Sequence, residues 1–320
     1  MRQSTAFQFS DPDEYQAAVR GGSQRLLVTT KGRFEAELTW TELERLKVQR
    51  GSANLSRIVH VANDPKRAPI LFLSDVNQRS MRHSGLEVAP GELVFYREGS
   101  TDRHQTEGPC RWGSISLAPE DLAAAGQAIA GRELTVPKAT HVLRPARQSM
   151  IRLMTLHEAV GTLAKAAPNA LAKPATAKAV EQELIRTMIA CLTGHQLADV
   201  RWQPQLHIRI IARFEEYMAK RKFKPVYLAE MCSGLGVSER TLRTCCQEHF
   251  GVGPVRYLWL RRMHLVRRAL ELANPASSNV TALATDYGFW ELGRFSVEYR
   301  ALFGESPRDA LRRPSEPSVH

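Results

Sequence analysis

The 320 residues predict an α+β chain, with a β-rich first part, a helical hairpin behind it and an all-helical last third. Phe34, Ala36, Leu38 and Trp40 alternate with polar neighbours, the two-residue period of a half-buried strand. From Gln148 onward apolar residues recur at helical spacing instead, as in Ile185, Met188, Ile189 and Leu192. A block of sequence is also repeated near the carboxy terminus. Hydrophobic residues make up 43% of the chain and charged residues 24%, which supplies a core and excludes wholesale disorder. The length favours two domains, read here as 1–198 and 207–311.

Asp11 can cap a short helix running through Val19, because its carboxylate can accept from the first unsatisfied amides. β-Prone runs follow at Leu26–Thr30, Leu55–Val61, Ile70–Leu73, Leu93–Tyr96 and Trp112–Leu117. Clusters such as Asn63-Asp64-Pro65 and Pro90-Gly91 separate them, as turns in a small sandwich or barrel would. Gln148–Ala166 and Thr176–Leu192 read as helices, broken at Ala167–Ala175 by Pro168 and Pro174, and so form an antiparallel hairpin. Thr193–Pro204 reads as a linker. Leu206–Arg221 opens the last domain with Ile210, Ile211, Phe214 and Met218 on one stripe, and Lys222–Pro225 ends that helix. A long helix spans roughly Pro254–Ala273, stopped by Asn274-Pro275.

Lys and Arg outnumber Asp and Glu by 44 to 33, a net charge of +11. Residues 1–206 carry +5 of it and residues 207–313 carry +7 on about half the length, so the basic excess is densest at the end. A polyanionic partner fits this distribution, although a solvated basic face on any helical protein would give the same figures. The five cysteines, Cys110, Cys191, Cys232, Cys245 and Cys246, contain no CxxC pair, which argues for a reducing cytoplasm and against a disulfide framework or zinc finger. No run approaches the roughly 18–20 apolar residues of a membrane span. Met1–Asp13 shows no secretory pattern, so the expected location is cytoplasmic, and at the nucleoid where the polyanionic partner is DNA.

The repeat sharpens the charge argument. LAEMCSGLGVSERTL, residues 228–242, resembles TALATDYGFWELGRF, residues 281–295, and Phe250-Gly251 with Pro254 matches Phe303-Gly304 with Pro307. Two helix–turn–helix units, at about 228–250 and 281–303, are the economical explanation. Small residues (Ala229 and Cys232; Ala282 and Ala284) let the paired helices approach, while Gly236 and Gly288 supply turn conformations that a β-carbon penalises. Ser238 can cap the first recognition helix. Leu242, Cys245, Cys246 and Phe250 make an inward stripe there, as do Phe295, Tyr299, Leu302 and Phe303 in its counterpart. The opposite faces are left to solvent or DNA. One such pattern is weak evidence for nucleic acid; two in tandem around a basic helix is strong.

Residues 207–311 resemble the DNA-binding domain of the AraC/XylS family of bacterial transcription regulators. The resemblance lies in LGVSERTLRTCCQEHFGVGP, YLWLRRMHLVRRAL and ALATDYGFWELGRFSVEYRALFGESPRDAL, and covers about one third of the chain. Cys245-Cys246 departs from it, since a large aromatic is usual near the second cysteine, and a looser core is expected there. The resemblance implies that the long helix holds two recognition helices nearly parallel, in successive major grooves roughly 34 Å apart on one DNA face. The implied DNA-contacting set is Ser238, Glu239, Arg240, Thr241, Arg243, Thr244 and Gln247, with Glu291, Leu292, Gly293, Arg294, Ser296 and Arg300. Arg240 and Arg243 are the best base readers, because a guanidinium can grip guanine O6 and N7 together. Leu292 and Gly293 offer no side-chain hydrogen bond, so the second module is expected to fit shape and anchor phosphate through Arg294, Ser296 and Arg300. Trp290 is expected to pack at the start of its helix. Among Arg261, Arg262, Arg267 and Arg268, one or two are expected to pair with Glu271 or other internal acids.

For the first domain the resemblance implies a cupin-like barrel that binds a small-molecule effector and dimerises, often through the two following helices. No catalytic residues, metal ligands or cofactor are expected: His83 and His104 stand apart with no HxH, and His60, His141 and His157 read as surface or core. No GxSxG, P-loop or HExxH pattern occurs. Trp40, Phe72, Phe95, Tyr96 and Trp112 could line a cavity but read more simply as core. The sequence therefore reads as a sequence-specific regulator of promoter DNA with an effector domain, acting with RNA polymerase if it activates and forming a homodimer if the first domain dimerises. A ligand-independent dimeric DNA-binding protein and an enzyme tethered to DNA are the alternatives.

Overall fold

The computed structural model describes residues 3–197, 205–221 and 226–313. The chain divides into two compact units, Met1–Leu26 with Glu35–Arg201 and Leu27–Phe34 with Trp202–His320. In the first, β1 (Gln3–Phe9) leads into α1 (Pro12–Ala18), where Asp11 Oδ1 accepts from the amides of Asp13 and Glu14 at 2.7 and 3.1 Å. Then come β2 (Gly22–Val28), β3 (Ala36–Glu42), β4 (Lys47–Ala53), β5 (Arg57–Asn63) and β6 (Ala68–Leu73). The short strands β7 (Met81–His83), β8 (Leu86–Val88) and β9 (Leu93–Phe95) precede β10 (Thr101–Thr106) and β11 (Cys110–Leu117). Beyond them lie α2 (Pro119–Ala130), β12 (His141–Pro145), α3 (Arg147–Ala166), α4 (Pro168–Ala172), α5 (Pro174–Thr193) and β13 (His195–Leu197).

The strands form two sheets, ordered β1-β3-β4-β11-β6-β9-β12-β13 and β2-β5-β10-β7-β8. Alternation assigns each face of the larger sheet a task. Ile115 pairs with Ile70 and Leu117 with Ala68. These residues pack with Leu153, Leu184 and Met188 of the α3–α5 hairpin in the main core. The intervening residues of β11 and β6 line a cavity.

Several elements correct the sequence reading. The segment read as a linker contains β13, which pairs with β12, and residues 198–204 lie outside those described. The expected break at Ala167–Ala175 holds the short helix α4 and the first turn of α5, whose prolines sit at first helical positions where no amide is needed. β1, β4, β7, β8, β10 and β12 were not anticipated, nor was α2.

His157 on α3 is fully buried, donates through Nε2 to the Gln49 carbonyl at 2.8 Å and meets Phe72 edge-on at 5.0 Å. Burial pushes its pKa down to about 4 from an ordinary 6.5, against the raising effect of that hydrogen bond. Between those values the unfolded chain takes up a proton that the folded chain refuses, so stability falls as pH falls through that window. Urea titrations from pH 7 to pH 4 are expected to show this loss, and His157→Gln, which keeps an N–H donor, to flatten it. An unchanged slope in His157→Gln would remove His157 as the cause.

The second unit is built from α6 (Gln205–Lys220), α7 (Leu228–Leu235), α8 (Glu239–Phe250), α9 (Pro254–Leu272), α10 (Val280–Asp286), α11 (Leu292–Phe303) and α12 (Pro307–Arg312). The expected helix end at Lys222–Pro225 lies outside the described residues. Each half holds a helix–turn–helix, and α9 joins them. Leu242, Cys245, Cys246 and Phe250 are buried as the stripe requires, with Phe250 stacked on Tyr257 at 4.6 Å and beside Phe214 at 5.4 Å. Phe295, Tyr299 and Leu302 are buried likewise, while Phe303 is only half-buried. Ala284 is buried as expected and Cys232 is half-buried, but Ala229 and Ala282 turn out exposed, and Met231, Leu235 and Leu283 fill the crossings beside them. Leu27–Phe34 also belongs to this unit, where Thr29 O accepts from Arg256 Nη2 at 3.3 Å and the Gly32 amide donates to Ala301 O at 3.2 Å.

Candidate nucleic-acid interface

Local chemistry sets the two candidate recognition helices. Gly236 ends α7 in the left-handed region at φ 63°, which an L side chain rarely adopts, and the chain can turn at once into α8. Ser238 Oγ then accepts from the Thr241 amide at 3.1 Å. Arg240, Arg243, Thr244 and Gln247 lie exposed on the opposite face from the buried stripe, with Glu239 in the first turn. Two of these are tied back to their own helix: Thr244 Oγ1 donates to the Arg240 carbonyl at 3.2 Å and Gln247 Nε2 to the Gly251 carbonyl at 3.0 Å. Thr241 is half-buried, its hydroxyl 2.9 Å from that of Ser238, so it belongs to the cap more than to the exposed face.

On α11, Glu291, Gly293, Arg294, Ser296 and Arg300 are exposed, but Leu292 is half-buried against the core of the second module. Trp290 corrects the expectation that it packs: it is 72% exposed, because its neighbour Phe289 fills the core position and consecutive side chains cannot both point inward. Arg294 is held by Glu298 at 2.9 Å and lies 3.8 Å from Glu291. The same Glu298 accepts from Trp259 Nε1 of α9 at 3.1 Å, pinning the second recognition helix to the connecting helix.

The two modules meet in one groove. Arg243 from α8 and Arg294 from α11 line it together with Arg256, Trp259 and Arg262 of α9. The Arg256 guanidinium sits 4.0 Å over the Trp259 ring. Arg262 donates to the Gly288 carbonyl at 3.3 Å. Sequence reasoning missed Arg256, whose neighbours at helical spacing gave no sign that it faced both recognition helices. Elsewhere on α9 the expected division holds: Arg267 pairs with Glu271 at 2.9 Å, Arg261 donates to the carbonyls of Met218 and Arg221, and Arg268 is exposed.

The first unit has a site of another kind. Between its sheets lies a cavity of about 110 Å³. Alternate residues of β5 (Arg57, Val59, Val61), β10 (His104, Thr106) and β11 (Cys110, Trp112, Ser114) line it. Trp112 can lie flat against the sheet because Gly51 opposite has no side chain; a β-carbon there would come within 2.3 Å of the indole. Trp112 Nε1 donates to Tyr15 Oη at 2.9 Å. Of the five aromatics read as core or cavity, Tyr96 and Trp112 reach the cavity, while Phe72 and Phe95 belong to the main core. His83 and His104, far apart in sequence, face each other across β7 and β10 with ring centroids 5.0 Å apart, and His83 Nε2 lies 3.4 Å from Asp102 Oδ1.

Residues 231–313 match a family described as a helix-turn-helix domain. The chain is similar to a probable thc operon regulatory protein of Rhodococcus erythropolis, 32% identical over 146 residues that cover 45% of this chain and 44% of that protein. It is also similar to the XylDLEGF operon transcriptional activator 1 of Pseudomonas putida, 38% identical over 103 residues, 32% of this chain and 30% of that one. The chain thus spans less than half the length of these curated relatives. Among solved structures, the AraC-like transcriptional activator CuxR aligns over 82% of this chain and 94% of its own, at 14% identity and a TM-score of 0.41. Among the described residues, no helix is long and apolar enough to cross a membrane.

Proposed function

We propose that this chain, whose last third matches a helix-turn-helix domain and curated operon activators, is a regulator of the AraC/XylS kind that binds promoter DNA in a sequence-specific manner, and that its first unit tunes this binding in response to a small molecule. The groove shared by Arg243, Arg256, Arg262 and Arg294 carries the DNA reading: basic side chains of both modules and of the helix between them converge on one surface. Arg240 and Arg243 of α8 read bases in one major groove, with Ser238, Glu239 and Thr244 beside them. α11 enters the next, fitting shape at Gly293 and anchoring phosphate through Arg294, Ser296 and Arg300, while the shared groove receives the backbone between. Residues 207–311 thus carry DNA recognition and residues 1–198 carry effector binding and a homodimer contact. The protein works in the cytoplasm, meeting RNA polymerase at the promoters it activates.

Selection of the full-length chain on a random duplex pool at physiological ionic strength tests the reading. An enriched motif with two half-sites about one helical turn apart is the expected result; a pool that stays random overturns it. Arg300→Ala is expected to weaken all sequences alike and to lower the salt slope by about one unit. Arg294→Ala is expected to weaken binding more than its charge accounts for, because it leaves Glu298 and Glu291 uncompensated beside the groove. Titrations of both variants at several salt concentrations check this.

A further inference from the structure

The cavity of the first unit carries a charge argument of its own. Three arginines, Arg20, Arg57 and Arg67, line it, and among the described residues no Asp or Glu does. Two of the three are committed elsewhere. Arg20 is half-exposed, 3.9 Å from Glu42 and stacked on Trp40 at 3.6 Å. Arg67 is pinned through Nη2 to the carbonyls of Arg45 and Ser116. Arg57 differs: it is only 3% exposed, and its guanidinium has the Leu55 carbonyl at 3.3 Å and the Cys110 thiol as partners, with no carboxylate. Its acidic neighbours supply no charge, since burial raises the pKa of both Cys110 and Tyr15. A guanidinium so placed is costly without an anion.

Two further polar atoms lack a partner on the same wall. His104 Nδ1 and Thr106 Oγ1 are buried, in residues 8% and 5% exposed, with no hydrogen-bond partner. His104 Nε2 is spoken for by Tyr96 Oη at 2.8 Å, and burial, then His83, push the imidazole down to about 3, so it is neutral at neutral pH. Asp102, the nearby carboxylate, is engaged with His83 and does not line the cavity. Leu26, Val59, Val61, Leu71 and Met81 supply an apolar stretch of the wall, beside which Gln24, Gln49, Asn63, Ser114 and Ser116 also line the cavity. The volume is somewhat below the ~150 Å³ of an apolar cavity known to take up benzene.

We propose that this cavity binds a compact organic monocarboxylate, its carboxylate held by Arg57 with hydrogen bonds from Thr106 and His104 and its small apolar body against the valine, leucine and methionine wall. The proposal rests on the reading of the first unit as an effector domain and assigns that effector a chemical class. The stretch of Leu26, Val59, Val61, Leu71 and Met81 favours an anion with an apolar body over a bare inorganic one, whose oxygens would face it. A fully apolar ligand would leave the guanidinium unpaired.

Calorimetry and thermal shift on the full-length chain test this with butanoate, hexanoate and cyclohexanecarboxylate, the carboxamide of each, and inorganic phosphate. At least one acid is expected to bind saturably, its amide on the order of tenfold or more weaker, and phosphate not at all. Arg57→Met is expected to abolish the preference for acid over amide, and Arg57→Lys to restore part of it. Should Arg57→Met fail to fold by circular dichroism, Thr106→Val and the acid–amide comparison on the unaltered chain carry the test. No saturable acid, amides bound as tightly as acids, binding of phosphate alone, or a folded Arg57→Met with undiminished acid affinity would each overturn the proposal. DNA titrations in the same samples separate the two readings. Arg57-dependent acid binding that leaves DNA affinity unchanged supports the anion site and removes the regulatory role; an amide that shifts DNA affinity without need of Arg57 does the reverse.

Discussion

A chain carrying Arg240→Ala and Arg243→Ala is expected to keep its fold and to lose most of its discrimination between its selected site and random duplex. Both arginines lie on the exposed face of α8, opposite the buried stripe of Leu242, Cys245, Cys246 and Phe250, so neither supports the core. Alanine at exposed helical positions is at least as favourable to the helix as arginine. A bidentate guanine contact discriminates by about 1–3 kcal/mol, so losing two such contacts lowers specificity on the order of a hundredfold or more. The single variants divide the roles. Arg240 lies outside the groove shared with α11, whereas Arg243 lines it beside Arg256 and Arg262. Arg240→Ala is therefore expected to relax the preferred motif at one base position. Arg243→Ala is expected to act partly on all sequences, as the proposed passage of the DNA backbone through that groove requires. Selection from a random pool and thermal unfolding of each variant measure the two effects; an unchanged motif in the double variant would remove α8 as the reader of bases.

The helix–turn–helix units were legible because their determinants are local. A glycine with positive φ at 236, a serine cap three residues ahead of the amide that donates to it and an apolar stripe all lie within a short stretch of sequence. Where two adjacent residues compete for one position, pattern cannot decide between them. Phe289 and Trp290 are both large aromatics, and only packing against Phe295 at 4.9 Å settles that Phe289 goes inward. Leu292 likewise reads as part of an exposed recognition face until its contacts with the module's core are seen. The first unit hid more. β10 spells Thr-Asp-Arg-His-Gln-Thr, polar throughout, yet all but its first residue are buried, since it lies between β5 and β7 and turns Thr106 and His104 toward the cavity. A strand that is polar because it walls a cavity carries no hydrophobic alternation to read. The proximity of His83 and His104 is a product of antiparallel register, which no spacing in the sequence reveals.

Arg267→Met is expected to be among the most destabilising single changes in the second unit. The side chain is 3% exposed; its Nε donates to Glu271 at 2.9 Å, its Nη2 lies 3.6 Å from Glu305, and its guanidinium is 5.0 Å from the Phe303 ring. Arg313 completes the cluster, reaching Glu271 at 3.4 Å and Glu305 as well. The four charges tie the end of α9 to the turn after α11 and to the last turn of the domain, and so fix the second recognition helix on its support. Removing Arg267 leaves two largely buried carboxylates facing one arginine that is more than a third exposed. Breaking a buried pair in this way costs about 3–5 kcal/mol, against a total of about 5–15 kcal/mol for a typical domain. The asymmetry supplies the control: replacing Glu271 and Glu305 by Leu in the Arg267→Met background removes the uncompensated charges and is expected to recover most of the loss. Urea unfolding of the full-length chain reads both changes, and DNA titration is expected to follow them, since the proposed engagement of successive grooves requires α9 to hold α11 in place. An Arg267→Met chain destabilised by less than about 1 kcal/mol would mean that Arg313 alone neutralises both carboxylates, and that the hold on the second recognition helix lies with Glu298 and Trp259 instead.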